Sequence, residues 1–264
     1  MIEYIKTMKD AFDLTGKAAI VTGGNGGIGL GIAKALAESG VNVAIFCRNM
    51  EKAKTALEEL NAIGGKHKAY ACDILDIKSC IATAETAFAD FGPIEILVNN
   101  SGVGGSGKFL DMNPDFSMWN EIIDTDLTGM AHMTFAVGRL MRDAKKGGSI
   151  INITSNAGKS VIKGVNIGIY GVAKAGANYF TRAMATEFAE YDIRVNAIAP
   201  GFTRAGFAAE PAQGLLDLID FQQPLKRMGE ALEIGALAVF LASKASGHIT
   251  GEAISVDGGY TLHT

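Results

Sequence analysis

Short apolar runs alternate with amphipathic stretches along almost the whole chain. Residues 17–22 and 41–46 are runs of small and β-branched residues, the pattern of strands buried on both faces. Between them Ile32, Ala33, Leu36 and Ala37 recur at the spacing of one helix face. The alternation continues with a charged helix over 50–62, a strand over 68–72, a helix over about 77–91, and a strand over 94–98 introduced by Pro93. A long helix is predicted over about 116–141, with Gly147-Gly148 ending it before a strand that carries Ser155 at its end. Then come an Ala-rich helix over 169–191, a strand over 194–198, a helix around 232–241 and a last strand over 253–256. Repeated strand and helix units predict an α/β fold: a doubly wound parallel sheet of Rossmann type, about seven strands, with helices on both faces. Such a sheet takes its ligand at the carboxyl ends of its strands.

Two stretches stand outside this rhythm. Residues 1–15 read as an N-terminal extension. Residues 202–224 hold little strict periodicity and mix Phe202, Phe207, Leu215, Leu216, Leu218, Ile219 and Phe221 with small residues, the character of a mobile, apolar-lined substrate lid. No Pro/Ser/Gly tract or charge block divides the 264 residues, so one domain over 1–264 is expected.

Charge narrows the function classes. A formal charge of -4 with interspersed signs offers no long-range attraction for nucleic acid or anionic lipid. Cys47, Cys72 and Cys80 form neither a paired framework nor a metal-ligand cluster with His67, His132, His248 or His263, so no metal is expected and the cysteines fit a reducing compartment. Residues 1–17 lack the apolar core of a signal peptide, and no uncharged run reaches membrane-spanning length; a cytoplasmic protein is expected.

Two clusters carry chemistry. Gly23-Gly24-Asn25-Gly26-Gly27-Ile28-Gly29 lies between a strand and a helix, where glycines allow close approach to the backbone and the helix N-terminal amides attract a pyrophosphate. Tyr170 and Lys174 stand one turn apart on one helix face, and an ammonium beside a phenol favours the phenolate, which makes Tyr170 a candidate general acid/base. The Ser155 hydroxyl is placed to orient a carbonyl or carbinol oxygen toward that phenol.

Taken together, Thr22-Gly23-x-x-x-Gly27-x-Gly29, Asn99-Asn100-Ser101-Gly102, the set Ser155, Tyr170 and Lys174, the segment 196–201 and Asp257-Gly258-Gly259 resemble the short-chain dehydrogenase/reductase family over nearly the whole chain. The resemblance implies nicotinamide-dependent hydride transfer between a secondary alcohol and a ketone. Ser155 would position the substrate oxygen and Tyr170 pass the proton, while Lys174 would hold the nicotinamide ribose and act on the phenol. It also implies cofactor contacts from Gly23, Asn25, Gly26, Gly27, Ile28, Gly29, Asn100, Ser101, Gly102, Tyr170, Lys174, Pro200 and Gly201, with Asp73 and Ile74 meeting the adenine. The chain departs from the family pattern at three places. Asp126 stands where the family has an asparagine that completes a proton relay to the lysine, a task Asp126 can share if its backbone carbonyl holds the water. The loop 156–169 is longer than the family's, and Ala205 replaces a threonine, leaving Thr203 as the expected cofactor contact.

After the second strand the chain has Cys47, Arg48 and Asn49 in place of an acidic residue, and a guanidinium suits a phosphate, so NADP(H) is expected over NAD(H). The glycine turn itself offers no second basic residue, having Asn25 and Gly26. Asp126 with Arg48 is similar to polyol and ketose reductases of the family, which implies a sugar, sugar acid or polyol substrate. Two alternatives stand beside it. The apolar 202–221 segment would suit a hydroxysteroid, and a 3-oxoacyl-thioester reductase would need a basic patch, for which Lys159, Lys163 and Arg204 are few. A dinucleotide-binding sensor or scaffold is the alternative class, against which the intact Ser155, Tyr170 and Lys174 set speaks. The family implies a homo-oligomer, dimer or tetramer, built on its long central helices. Ile122, Ile123, Met130, Met133 and Phe135 suit either that contact or the sheet. Phe116 and Trp119 read as core anchors of the long helix.

Overall fold

The computed structural model of the chain describes residues 5–162, 164–205 and 210–263. Helix α1 (Met8–Phe12) is followed by β1 (Ala18–Thr22), α2 (Gly27–Glu38), β2 (Asn42–Cys47), α3 (Met50–Ile63), β3 (His67–Ala71), α4 (Ile77–Phe91) and β4 (Ile96–Asn99). Then come α5 (Ser117–Ile123), α6 (Gly129–Ala144), β5 (Gly148–Ile153), α7 (Gly168–Phe188) and β6 (Ile193–Pro200). The short strand β7 (Thr203–Arg204), α8 (Gln213–Gln222), β8 (Gly229–Glu230), α9 (Ala231–Ala242) and β9 (Ala253–Val256) complete the order. Seven strands form one sheet in the order β3-β2-β1-β4-β5-β6-β9, every neighbouring pair parallel, which is the Rossmann-type arrangement expected. The strand order reverses between β1 and β4, and a ligand crevice opens at such a point.

The two-residue period of the strands sorts the core into two layers. Ala19 and Val21 of β1 face α2, α3 and α9, packing with Ile32, Leu36, Ala53, Leu60, Ile234 and Leu241. Ala18 and Ile20 face the opposite layer with Cys80 and Ala84 of α4, Met133 and Val137 of α6 and Ala185 of α7. Part of the N-terminal stretch is packed too: Ala11 and Leu14 are buried, and the Phe12 ring lies 6.2 Å from that of Phe240 on α9.

Several details differ from the sequence-based expectations. The long helix is not regular: a π-helical turn over Asp124–Thr128 separates α5 from α6, and Phe116 lies outside it in a left-handed conformation (φ 55°). Phe116 is exposed and shares an edge-on aromatic cluster with Phe109 and the half-buried Trp119, so it is not a core anchor. Ser155 sits two residues beyond β5, capping a 3-10 turn over Asn156–Gly158. Within the expected lid, α8 is a regular helix whose Ile219 is buried while Phe221 is 87% exposed, and Phe202 stacks edge-on against Tyr260. Phe207, Lys163 and the His263 side chain lie outside the described residues. Of the residues left between sheet and surface, Ile122, Met130 and Met133 are buried and only Phe135 is exposed.

A buried polar chain fixes the two long helices to the sheet. Asn99 of β4 donates to Thr134 Oγ1 of α6 and to Asn152 Oδ1 of β5, each at 2.9 Å, and Asn152 donates to Thr181 Oγ1 of α7 at 2.9 Å. Each group is desolvated, so each bond costs far more to lose than it contributes net. Asn152→Leu should therefore lower unfolding free energy by about 2–3 kcal/mol in urea denaturation; a change within error would mean the chain fixes nothing.

Candidate active site

Three elements meet at the carboxyl edge of β1 and β4. Thr22, last in β1, accepts the amides of Asn100 (2.9 Å) and Ser101 (3.0 Å), and Asn100 Nδ2 returns a bond to the Thr22 carbonyl at 3.0 Å. These bonds seat the segment after β4 against the glycine turn. A side chain on Gly29 would drive into the Gly23 carbonyl and the Asn100 amide, so only glycine lets α2 begin so close to the turn.

The crevice that results has a volume of about 390 Å³ and is lined by Gly23, Asn25, Gly26, Gly27, Arg48, Asn49, Asp73, Ile74, Asn100, Ser101 and Gly102 among the expected cofactor residues. Cys47, Cys72, Lys52, Leu75, Val103 and Thr125 also line it. Its floor of backbone at the start of a helix, with an open groove beside Arg48, fits the adenosine half of a dinucleotide. Ile28 packs against the core, and Gly29 lies beneath the turn. Pro200 and Gly201 stand at the end of β6, where Gly201 leaves no room for a side chain beside Asp257, and the Thr203 hydroxyl donates to the Gly201 carbonyl at 3.1 Å. These three, with Tyr170 and Lys174, lie outside that crevice lining.

Lys174 joins the crevice to the chemical end. Its ammonium is buried, donates to the Ile153 carbonyl at 3.2 Å and lies 2.8 Å from Asp126 Oδ1, as an ion pair without an aligned hydrogen bond. Asp126 Oδ2 accepts the Val103 amide at 3.3 Å. Gly102 is pinned between them: a Cβ there would fall on Asp126 Oδ1 and 3.4 Å from Lys174 Nζ. The π-turn supplies this geometry by placing Asp126 inward from the long helix, a device frequent at functional sites. Asp126 therefore meets Lys174 through its side chain.

Tyr170, half-buried one turn before Lys174, has its ring 5.5 Å from the ammonium and packs against the small buried cluster of Ile122, Ile169 and Ala173. The Ser155 turn lies directly on α7: a Cβ on Gly171 would stand 2.9 Å from the Ala157 carbonyl, and one on Gly158 2.5 Å from the Lys174 carbonyl carbon. Ser155 Oγ is buried, donates to Asn156 Oδ1 at 3.3 Å and accepts from the Ala157 amide at 3.1 Å. The long loop before α7 is tied to the glycine-rich loop by Gly107 N donating to Asn166 O at 2.7 Å. Among the described residues no cluster of His, Cys, Asp or Glu could hold a metal, and no helix is long and apolar enough to cross a membrane.

A family model described as enoyl-(acyl carrier protein) reductase matches residues 23–261. The crystal structure of a short-chain type dehydrogenase/reductase from Mycobacterium marinum superposes with a TM-score of 0.92 at 35% identity, covering 97% of this chain and 99% of that one. The chain belongs to the short-chain dehydrogenase/reductase family. Acetoacetyl-CoA reductase of Shinella zoogloeoides is 40% identical over 246 residues, 92% of this chain and 98% of that protein. NADP-dependent mannitol dehydrogenase of Alternaria alternata is 34% identical over 259 residues, 97% of this chain and 96% of that protein. As a short-chain dehydrogenase/reductase the protein is an oxidoreductase acting on CH–OH groups of small molecules with a nicotinamide dinucleotide.

Lys52 escaped the sequence reading of this short-chain dehydrogenase/reductase, which found no second cation at the glycine turn. Its ammonium lies against Gly26, reaching there from α3. The signal that could have found it is its place in the first turn of a helix, where side chains lean back toward the N-terminus.

Burial pulls the Lys174 pKa down, but the charges Tyr170 and Asp126 can carry outweigh it and hold the ammonium above its ordinary 10.5. Burial raises the Asp126 pKa above the ordinary 3.8, with Lys174 and the Val103 amide opposing. A folded pKa raised above the unfolded one stabilises fully below pH 10.5 and is lost only as pH climbs through the folded value, so the ammonium persists across the neutral range. Asp126→Leu leaves that ammonium buried and uncompensated, at an expected cost of about 3–5 kcal/mol at neutral pH. Calorimetric unfolding should show the deficit shrinking as alkali discharges the lysine; an equal deficit throughout would mean the loss is one of packing.

Proposed function

We propose that the protein is an NADP(H)-dependent reductase or dehydrogenase interconverting a ketone and a secondary alcohol of a sugar, sugar acid or polyol, with Ser155, Tyr170, Lys174 and Asp126 as its chemical residues. The observation that carries this reading is the buried Lys174 ammonium, held between Asp126 and the Tyr170 ring where the crevice ends at Gly102. When bound, the nicotinamide supplies or accepts the hydride. Tyr170 passes the proton to or from the substrate oxygen, and Ser155 turns its hydroxyl from Asn156 to that oxygen to fix its direction. Lys174 holds the nicotinamide ribose and keeps a positive charge beside the phenol, while Asp126 fixes the ammonium in place. Pro200, Gly201 and Thr203 would contact the carboxamide in this reading.

Arg48 in the crevice, and no acidic residue at the end of β2, support NADP(H). The substrate class draws on the likeness to the mannitol dehydrogenase and on Asp126. An acidic carrier protein would need free cations near the site. Lys159 instead donates to the Ala253 carbonyl at 2.7 Å and to Ser255 at 2.8 Å, and Arg204 pairs with Glu230 at 3.4 Å. One domain over 1–264, with 202–224 as its substrate-lid segment, and a homo-oligomer built on the long helices belong to the same reading. Phe135, Val172 and Tyr179 expose apolar surface on α6 and α7 for such a contact.

Tyr170→Phe should cut turnover by about three orders of magnitude with NADPH binding, followed by fluorescence titration, little changed. Lost binding with residual turnover would contradict the assignment. Oxidation of NADPH by ketoses, oxosteroids and 3-oxoacyl thioesters, and reduction of NADP+ by polyols and hydroxysteroids, both followed at the NADPH absorption band, should give the highest kcat/KM with a ketose or polyol and with NADP(H) over NAD(H). A preference for NADH, or for steroid or thioester, overturns that part of the reading.

A further inference from the structure

Gly26 is a glycine the backbone does not require. Its φ of 173° and ψ of 172° are extended values open to any residue. What a side chain there would strike is the end of Lys52: the three atoms nearest its Cβ are the lysine's Nζ at 2.6 Å, Cε at 2.8 Å and Cδ at 4.0 Å. The missing side chain at position 26 is the seat of a cation supplied by another helix.

Lys52 is held to that seat from its base. Its amide donates to Asn49 Oδ1 at 2.9 Å, in the first turn of α3, and Asn25 Nδ2 donates to the Asn49 carbonyl at 3.2 Å, which ties the glycine turn to the start of the helix. A lysine in the first turn of a helix works against the helix dipole, so local stability does not call for it. The carboxylate nearest in sequence is committed elsewhere: Glu51 pairs with Lys54 at 2.8 Å. Neither the Lys52 ammonium nor the Arg48 guanidinium has a carboxylate partner among the described residues, and both line the same crevice. Asp73 is the one acidic residue of that lining, and its Oδ1 accepts the Leu75 amide at 3.0 Å.

We propose that Lys52 is a specificity-determining residue for the cofactor, supplying from α3 the cation that the glycine turn lacks and forming with Arg48 a two-armed seat for the phosphate monoester on the adenosine ribose. The inference rests on the NADP(H) reading and deepens it. Lone surface cations hold an anion weakly, whereas an ammonium and a fork-shaped guanidinium converging on one dianion do so strongly. Gly26 is small so that the ammonium can stand where a basic side chain of the turn would otherwise reach.

Calorimetric binding of adenosine 2',5'-bisphosphate and adenosine 5'-monophosphate tests this without turnover. Lys52→Met, which keeps most of the stem and removes the charge, should weaken the bisphosphate about tenfold and leave the monophosphate unchanged. Gly26→Ala keeps the charge but denies the seat, and should shift selectivity in the same direction by a smaller factor. Moving the cation into the turn with the double variant Gly26→Lys/Lys52→Met should recover most of the lost selectivity. An unaltered ratio in Lys52→Met, or an equal loss of both nucleotides, overturns the inference. If the wild-type protein itself fails to prefer the bisphosphate, the NADP(H) reading falls, an outcome visible before any variant is made.

Discussion

A lysine ammonium and an aspartate carboxylate held 2.8 Å apart with almost no exposure to water form the contact on which the site depends. Burying two charges is costly, and the cost is offset only where further polar groups complete the pair. Here the Ile153 carbonyl accepts a hydrogen bond from the ammonium and the Val103 amide donates to the other carboxylate oxygen. The pair therefore couples the end of β5, the segment after β4, the π-turn between α5 and α6, and α7. Displacing any of the four leaves a charge stranded, so the geometry around Tyr170 is held by the penalty for breaking it.

The rest of the fold brings crevice and pair into register. Thr22 and Asn100 clasp β1 to the segment after β4, which sets the height of the glycine turn against Gly102. Gly102 is then the joint between the two halves of the site, with dinucleotide crevice on one side and the Asp126–Lys174 pair on the other. The buried Asn99, Asn152, Thr134 and Thr181 chain runs beneath, holding α6 and α7 at the distance the ion pair requires. Chemistry at the rim thus rests on polar bonds about two turns along α6 and α7 from it.

Much of this was legible in the residues. The strand and helix alternation carried the topology, because parallel strands buried on both faces read as short apolar runs and their crossover helices as 3.6-residue stripes. Gly23, Gly27, Tyr170 and Lys174 were visible for the same reason, since each belongs to a local spacing. What escaped was non-local or irregular. Asp126 was visible as a substitution, but the direct pair with Lys174 needs a π-turn that no hydrophobic period announces. Lys52 looked like an ordinary helix-surface charge because its partner position, Gly26, lies in another unit and is marked by an absent side chain. Phe116 and Trp119 resembled core residues by type, yet a left-handed residue at 116 turns that segment outward, where the rings pack on each other.

Asp126 keeps a charged ammonium at position 174 inside the protein. Titration of the lysine side-chain nitrogens by 15N NMR, with Lys174 assigned through Lys174→Arg, measures that charge directly. The Lys174 resonance should remain that of an ammonium through neutral and mildly alkaline pH in the wild-type protein, and should lose its proton at distinctly lower pH in Asp126→Leu. A wild-type Lys174 already neutral near pH 7, or a titration unmoved by loss of the carboxylate, would contradict it.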